Sequence, residues 1–323
     1  KRQVELTDNR KKRKAGNVIR TVILLAAMVV FCFSAYKLVD IYLGYKQGSD
    51  EYSALGKYAA LEDQQEPVVK DEPEETSGDA VSGDGVVLDT ETSGTEAAST
   101  AEKEGKDFIY ETETEEDAKT GETIVQKKKL YYMKNPVDFT ALQGINDDII
   151  GWLKVGALDI SYPVTQAQDN DYYLHLTFEL VQNAAGCIFV DYQNRQDFQD
   201  DNTIVYGHNM KDGSMFGTLK NFVQDGVYES DPYFWIYTPE RIYKYEIFNC
   251  STVGAVSNTY TLEFGSRKEF QDYLDKALMQ SQVDSSKVKV KSSDKIVTLS
   301  TCTGDEETRF VVQGKLVRTY ASR

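Results

Sequence analysis

The chain has 323 residues, a formal net charge of −16, four cysteines and two histidines. An excess of Asp and Glu over Lys and Arg argues against a nucleic-acid binder. Two histidines and no Cys-x-x-Cys pair argue against a zinc framework, and nothing calls for a metal or another cofactor.

Charge and apolar content are uneven, so three zones are read separately. The first, up to Arg20, carries eight Lys and Arg against Glu5 and Asp8. An uncharged, mostly apolar run from Thr21 to Tyr36 follows. Counted from Val18, with Arg20 snorkelling, it approaches the ~20 residues a bilayer requires. The basic flank predicts a cytoplasmic N-terminus and an exported remainder. A cleavable signal peptide has the same basic start, but this core is long and no small-x-small site follows it. A buried core helix would carry a polar face, and none interrupts Val22 to Phe33. The expectation is a basic cytoplasmic tail over 1–16, a single-pass anchor helix over 17–43, and an extracellular remainder.

The second zone, Asp50 to Thr123, holds twenty-three Asp and Glu against five Lys. With scattered Ser, Thr, Gly and Pro and few aromatics, it has too little apolar surface to offset its ordering entropy. Residues 44–125 are therefore expected to be an acidic, disordered linker, a solvated spacer of ~50 Å root-mean-square span.

The third zone, 126–323, is large enough for one real core. It opens with helical signals: Pro136 and Asp138 precede Phe139, Leu142, Ile145, Ile149 and Trp152, spaced along one helix face broken near Gly144. Short extended runs follow at Ala157 to Tyr162, Gly186 to Asp191, Thr203 to Tyr206, Tyr233 to Tyr237, Tyr243 to Val253, Ile296 to Thr301 and Phe310 to Val317. One late helix interrupts them, with Ser266 and Glu269 as a capping box before Phe270, Leu274, Ala277 and Leu278. The class is mainly β, a barrel or sandwich with helical additions.

Cys32 lies in the apolar run, leaving Cys187, Cys250 and Cys302 outside it. An odd number argues against a disulfide framework and leaves at least one free thiol; Cys187 and Cys250 are expected in the core. Cys302 ends a strand just before the turn Gly304-Asp305, where a nucleophile is held rigidly yet open to solvent, although a strand cysteine taken alone is more often core. His208 follows another strand in Tyr206-Gly207-His208, and histidine suits proton transfer near neutral pH; a loop histidine alone is more often merely exposed. His175 is assigned no role. Arg309 opens the strand after the turn, so a hairpin would set Cys302 and Arg309 opposite each other. The bland alternative is a surface ion pair with Asp305 or Glu307.

Together these residues resemble a known family. Thr298-Leu299-Ser300-Thr301-Cys302 with Arg309 downstream, and Tyr206-Gly207-His208-Asn209-Met210 upstream, resemble the sortase signature. Asn146-Asp147-Asp148-Ile149-Ile150-Gly151-Trp152-Leu153, Ser161-Tyr162-Pro163-Val164, Asp169-Asn170-Asp171-Tyr172-Tyr173-Leu174 and Lys211-Asp212-Gly213-Ser214-Met215-Phe216 are similar to class B members. Thr303, where class B members often carry an acidic residue, and the compact gap to Arg309 depart from that pattern, as does the acidic stretch.

The resemblance implies a closed sortase-type β-barrel over 126–323, with N-terminal helices and one late helix. It implies a cysteine transpeptidase with Cys302 as nucleophile, His208 as acid/base and Arg309 as oxyanion stabiliser. Ser300 is a candidate substrate contact or a plain strand residue. The implied partners are a threonine-containing C-terminal sorting signal, cleaved through a thioester, and a cell-wall amine that resolves it. Two other classes compete. An L,D-transpeptidase acting on peptidoglycan stems would carry a Ser-His-Gly-Cys pattern, which is absent, and a non-catalytic adhesin leaves the Cys/His/Arg conjunction unexplained.

Overall fold

The computed structural model describes residues 2–61, 66–67, 108–116, 123–302, 304 and 307–323. Helix α1 (Arg2–Leu55) is continuous, and its stretch from Arg20 is long and apolar enough to cross a membrane. Val22, Leu24, Phe31 and Leu38 are all exposed along it.

Past Leu43 the surroundings of the helix change. Tyr52, Leu55 and, after a short 3₁₀ turn (Gly56–Tyr58), Leu61 are buried in the main core. Ala59 bridges Val137, and Ala60 N–H donates to the Pro136 carbonyl at 3.1 Å. Residues 44–61, expected as the start of the linker, are thus part of the folded body. The reason is physical: three large apolar side chains at the helix end find a covered surface, and a zone-wide average over acidic neighbours conceals them. The later end of that zone also holds structure. Strand β1 (Phe108–Glu116) pairs antiparallel with β2 (Thr123–Met133), and the Glu111 carboxylate pairs with Arg241. Apart from Glu66 and Pro67, residues 62–107 of the expected linker lie outside the described residues.

Eight further strands close a barrel. They are β3 (Ile149–Val155), β4 (Ile160–Thr165), β5 (Ile188–Val190), β6 (Asn202–Tyr206), β7 (Tyr233–Tyr237), β8 (Arg241–Gly254), β9 (Ile296–Cys302) and β10 (Thr308–Ser322). The order around the ring is β10-β8-β7-β3-β4-β5-β6-β9, and the β9–β10 pairing closes it. Closure removes the free edges that an open sheet exposes. Trp152, Phe198, Phe216, Phe234 and Tyr245 are among the side chains fully buried in its core.

Helix α2 (Phe139–Gln143) is far shorter than the apolar spacing predicts, and Ile149 and Trp152 belong to strand β3. The Asp138 carboxylate caps α2, Gly144 closes it, and the Asn146 side chain accepts from Asp148 N–H at 3.0 Å in a turn. The break expected near Gly144 is present, whereas the helical spacing of Ile149 and Trp152 beyond it does not carry over into a helix. Helix α3 (Arg267–Met279), in contrast, starts as expected: Ser266 Oγ accepts from Glu269 N–H at 3.1 Å, while Glu269 reaches back to Gly265 N–H. Phe270, Leu274 and Ala277 then pack on Phe248 and Ile296 outside the barrel.

Candidate active site

Strand β9 is held by neighbours on both sides, β6 in parallel and β10 antiparallel. Across these strands runs a buried hydrogen-bond chain. Asn249 donates to Gln313 at 2.8 Å, Gln313 to Thr298 at 2.9 Å, and Thr298 to Asn202 at 2.8 Å. Asn202 in turn donates to the carbonyls of Thr259 and Thr261. Polar groups buried in a sheet are tolerated when paired, and this chain pins the segment carrying Tyr260. The Tyr260 hydroxyl lies 2.8 Å from Ser300 Oγ, and its ring stacks on Tyr206.

At the end of β9, Cys302 is directly opposed to Arg309 of β10. The hairpin expected from the short turn is therefore formed. The Cys302 side chain, like Asp305, lies outside the described residues. Tyr206 is the register partner of Ser300, which brings His208, two residues on, to the same end of the barrel. A cavity of about 300 Å³ is lined by His208, Arg309, Ser300, Thr301, Tyr206 and Leu174, among others. Three of the four sequence candidates, His208, Arg309 and Ser300, thus meet there, beside the backbone position of the fourth. Ser300 is buried, and its hydroxyl already has Tyr260 as a partner.

His208 is half-buried, and its Nε2 lies 2.7 Å from the Leu174 carbonyl. A carbonyl only accepts, so Nε2 keeps its hydrogen and Nδ1 is the atom left to gain and lose a proton. Burial moves the His208 pKa below 6.5, the Leu174 carbonyl bond opposes that shift, and nearby His175 adds to it. The unfolded chain therefore binds the proton first as pH falls below 6.5, so this group contributes stability above that pH and loses it through the folded pKa. Urea midpoints of the wild type and His208→Gln at pH 7.5 and 5 test this: the wild type should lose more stability between the two.

Sequence reasoning missed three parts of this site. The exposed His175 has a ring stacked 6.1 Å from His208; Tyr206 donates to Asp191 at 2.9 Å at the cavity wall; and Tyr260 partners Ser300. The Asp169-to-Leu174 motif was visible, but no local signal shows that its Leu174 carbonyl would face a histidine thirty-four residues on.

Gly207 is needed for close approach. A Cβ there would lie 2.5 Å from Ile188 Cδ1 and 2.7 Å from the Phe216 ring, both buried. Gly207→Ala is expected to cost ~1–3 kcal/mol in urea unfolding and to shift the backbone that carries His208.

Comparison with known proteins agrees with this geometry. The Sortase domain family model matches residues 153–317. Sortase B of Listeria monocytogenes is 39% identical over 212 residues, covering 62% of this chain and 86% of that protein. Sortase B of Staphylococcus aureus is 32% identical over 183 residues, covering 56% and 75% respectively. The solved Staphylococcus aureus sortase B–substrate complex aligns with a TM-score of 0.53 at 32% identity, covering 56% of this chain and 84% of that one. Neither the peptidoglycan-stem enzyme nor the adhesin reading accounts for these matches. With a closed barrel, a cleft at the end of β9 and relatives of this similarity, the chain belongs to the sortase family, as a class B sortase with cysteine transpeptidase chemistry.

Proposed function

We propose that this sortase is membrane-anchored, cleaves a threonine-containing C-terminal sorting signal through a thioester on Cys302, and passes the acyl group to a cell-wall amine. The observation that carries the reading is the meeting of His208 and Arg309 at one cavity, beside the strand end that bears Cys302.

Residue chemistry supports the division of labour. Cys187 and Cys250 are unpaired and buried, and burial pushes the Cys187 thiol up to about 12 and Cys250 higher still. Neither supplies thiolate at neutral pH. The Cys302 thiolate adds to the threonine carbonyl carbon, and the Arg309 guanidinium stabilises the resulting oxyanion. Collapse breaks the C–N bond, and protonated His208 gives its proton to the departing amine. The incoming amine then adds to the thioester and passes a proton to neutral His208, and the thiolate leaves. Ser300 contributes its remaining hydrogen-bonding capacity to the bound peptide. The similar Staphylococcus aureus structure is a substrate complex, in keeping with a peptide in the matching cleft. The basic residues before the apolar part of α1 favour a cytoplasmic N-terminus, with the barrel of 126–323 outside.

Intact-mass analysis of the full chain, incubated separately with threonine-containing sorting peptides and with peptidoglycan stem peptides, tests the proposal. An acyl adduct mapped to Cys302 with the sorting peptides is the expected result. Turnover of the stem peptides alone, or an adduct at another residue, overturns it.

A further inference from the structure

The anchor helix reaches the catalytic histidine through a short series of contacts. The Tyr52 hydroxyl donates to the Gly186 carbonyl at 2.5 Å and accepts from Phe178 N–H at 3.3 Å. Gly186 has φ +57°, and a Cβ on it would lie 2.6 Å from the Tyr173 carbonyl oxygen and 2.7 Å from that of Leu174. Its backbone is thus packed directly on the carbonyl that accepts from His208 Nε2. Two backbone bonds lock the same turn, Cys187 N–H to Tyr173 O at 3.0 Å and Asn183 N–H to His175 O at 2.9 Å. Asn183 is also tied to the helix, donating from Nδ2 to the Gly44 carbonyl at 2.8 Å.

A second route leaves the same tyrosine. The Tyr52 ring packs edge-on against Tyr162 at 5.3 Å, and the Tyr162 hydroxyl accepts from Met215 N–H at 3.0 Å. The next residue, Phe216, donates its N–H to the His208 carbonyl at 2.9 Å. One side chain of the anchor helix therefore supports both the ring acceptor and the backbone of His208.

We infer that Tyr52 is a positioning residue for catalysis: by holding Gly186 against the Leu174 carbonyl, it sets the orientation of the His208 imidazole. The inference rests on the reading of His208 as acid/base. It also makes residues 44–55 of α1 a working part of the enzyme beyond their service as an anchor. A misplaced reacting group lowers turnover steeply even when substrate still binds.

The test uses the full chain in detergent or bilayer discs. Tyr52→Phe removes one hydroxyl and keeps the ring against Tyr162. It should lower kcat about tenfold with KM nearly unchanged. Because the Leu174 bond favours the protonated ring, its weakening should move the His208 titration, followed by imidazole NMR, to lower pH. The other charged or titratable groups around His208, namely Asp171, Tyr206, Arg309 and His175, are untouched. Leu55→Ala, which opens a cavity at the same helix end without removing a hydrogen bond to the loop, should lower the unfolding midpoint and leave the titration in place. Wild-type kcat and titration in Tyr52→Phe, alongside an inactive His208→Ala, would overturn the inference and leave the assignment of His208 standing. An active His208→Ala would instead remove the assignment itself. If Tyr52→Phe fails to fold, Asn183→Asp, which loses the amide donor to Gly44 and keeps the oxygen that accepts from Ala185 N–H, gives the same two readouts with the same expected and overturning results.

Discussion

Cys302→Ala is expected to abolish covalent capture of a sorting peptide, with turnover down by on the order of 10⁶-fold, the scale seen when a nucleophile is removed from a concerted catalytic group. No other thiol can substitute. Cys187 and Cys250 are sealed in the core with their pKa raised by burial, and Cys32 lies in the apolar part of α1. The barrel should survive the change, because β9 is held to β10 and β6 by backbone pairing that alanine preserves. An unfolding midpoint within about 1 kcal/mol of the wild type would separate lost chemistry from lost fold. Residual acyl-enzyme in the variant would refute Cys302 as the nucleophile.

Arg309→Ala should reduce kcat/KM by about 10²–10³, the usual loss when an oxyanion donor is removed. Arg309 is directly opposed to Cys302 and lines the cavity with His208, which under the proposed mechanism sets its charge beside the tetrahedral intermediate. Arg309→Lys keeps a charge but loses the planar fork, and should recover only part of the activity. The loss should fall on kcat, because an oxyanion exists only beyond the ground state. A variant within about threefold of the wild type would leave Arg309 a surface cation and transfer oxyanion stabilisation to another group.

The site was legible in the sequence to the extent that it is local. Cys302 and Arg309 are seven residues apart in sequence and directly opposed in the β9–β10 pairing because a short turn joins the two strands, and a hairpin turn fixes register. Helix α3 was legible for the same reason, since its cap and apolar stripe lie within one segment. The failures share the opposite property. Ile149 and Trp152 fit a helical face, yet β3 forms because β4 and β7 stand ready on either side; tertiary pairing overrides periodicity there. Tyr52 sits among acidic neighbours, and its partners Phe178 and Gly186 are more than a hundred residues away.

What could be read from the chain alone was the available chemistry: a thiol, an imidazole and a guanidinium as candidates, an apolar stretch ahead of them, and β-strands to carry them. Residue type and short-range spacing are sufficient for that. That His208 meets the Leu174 carbonyl, that Ser300 is partnered by Tyr260, and that the end of helix α1 packs into the main core follow from the folded chain alone. These are contacts between distant segments, selected when the folded chain covers its apolar faces and pairs the polar groups enclosed with them, and no local pattern encodes that choice.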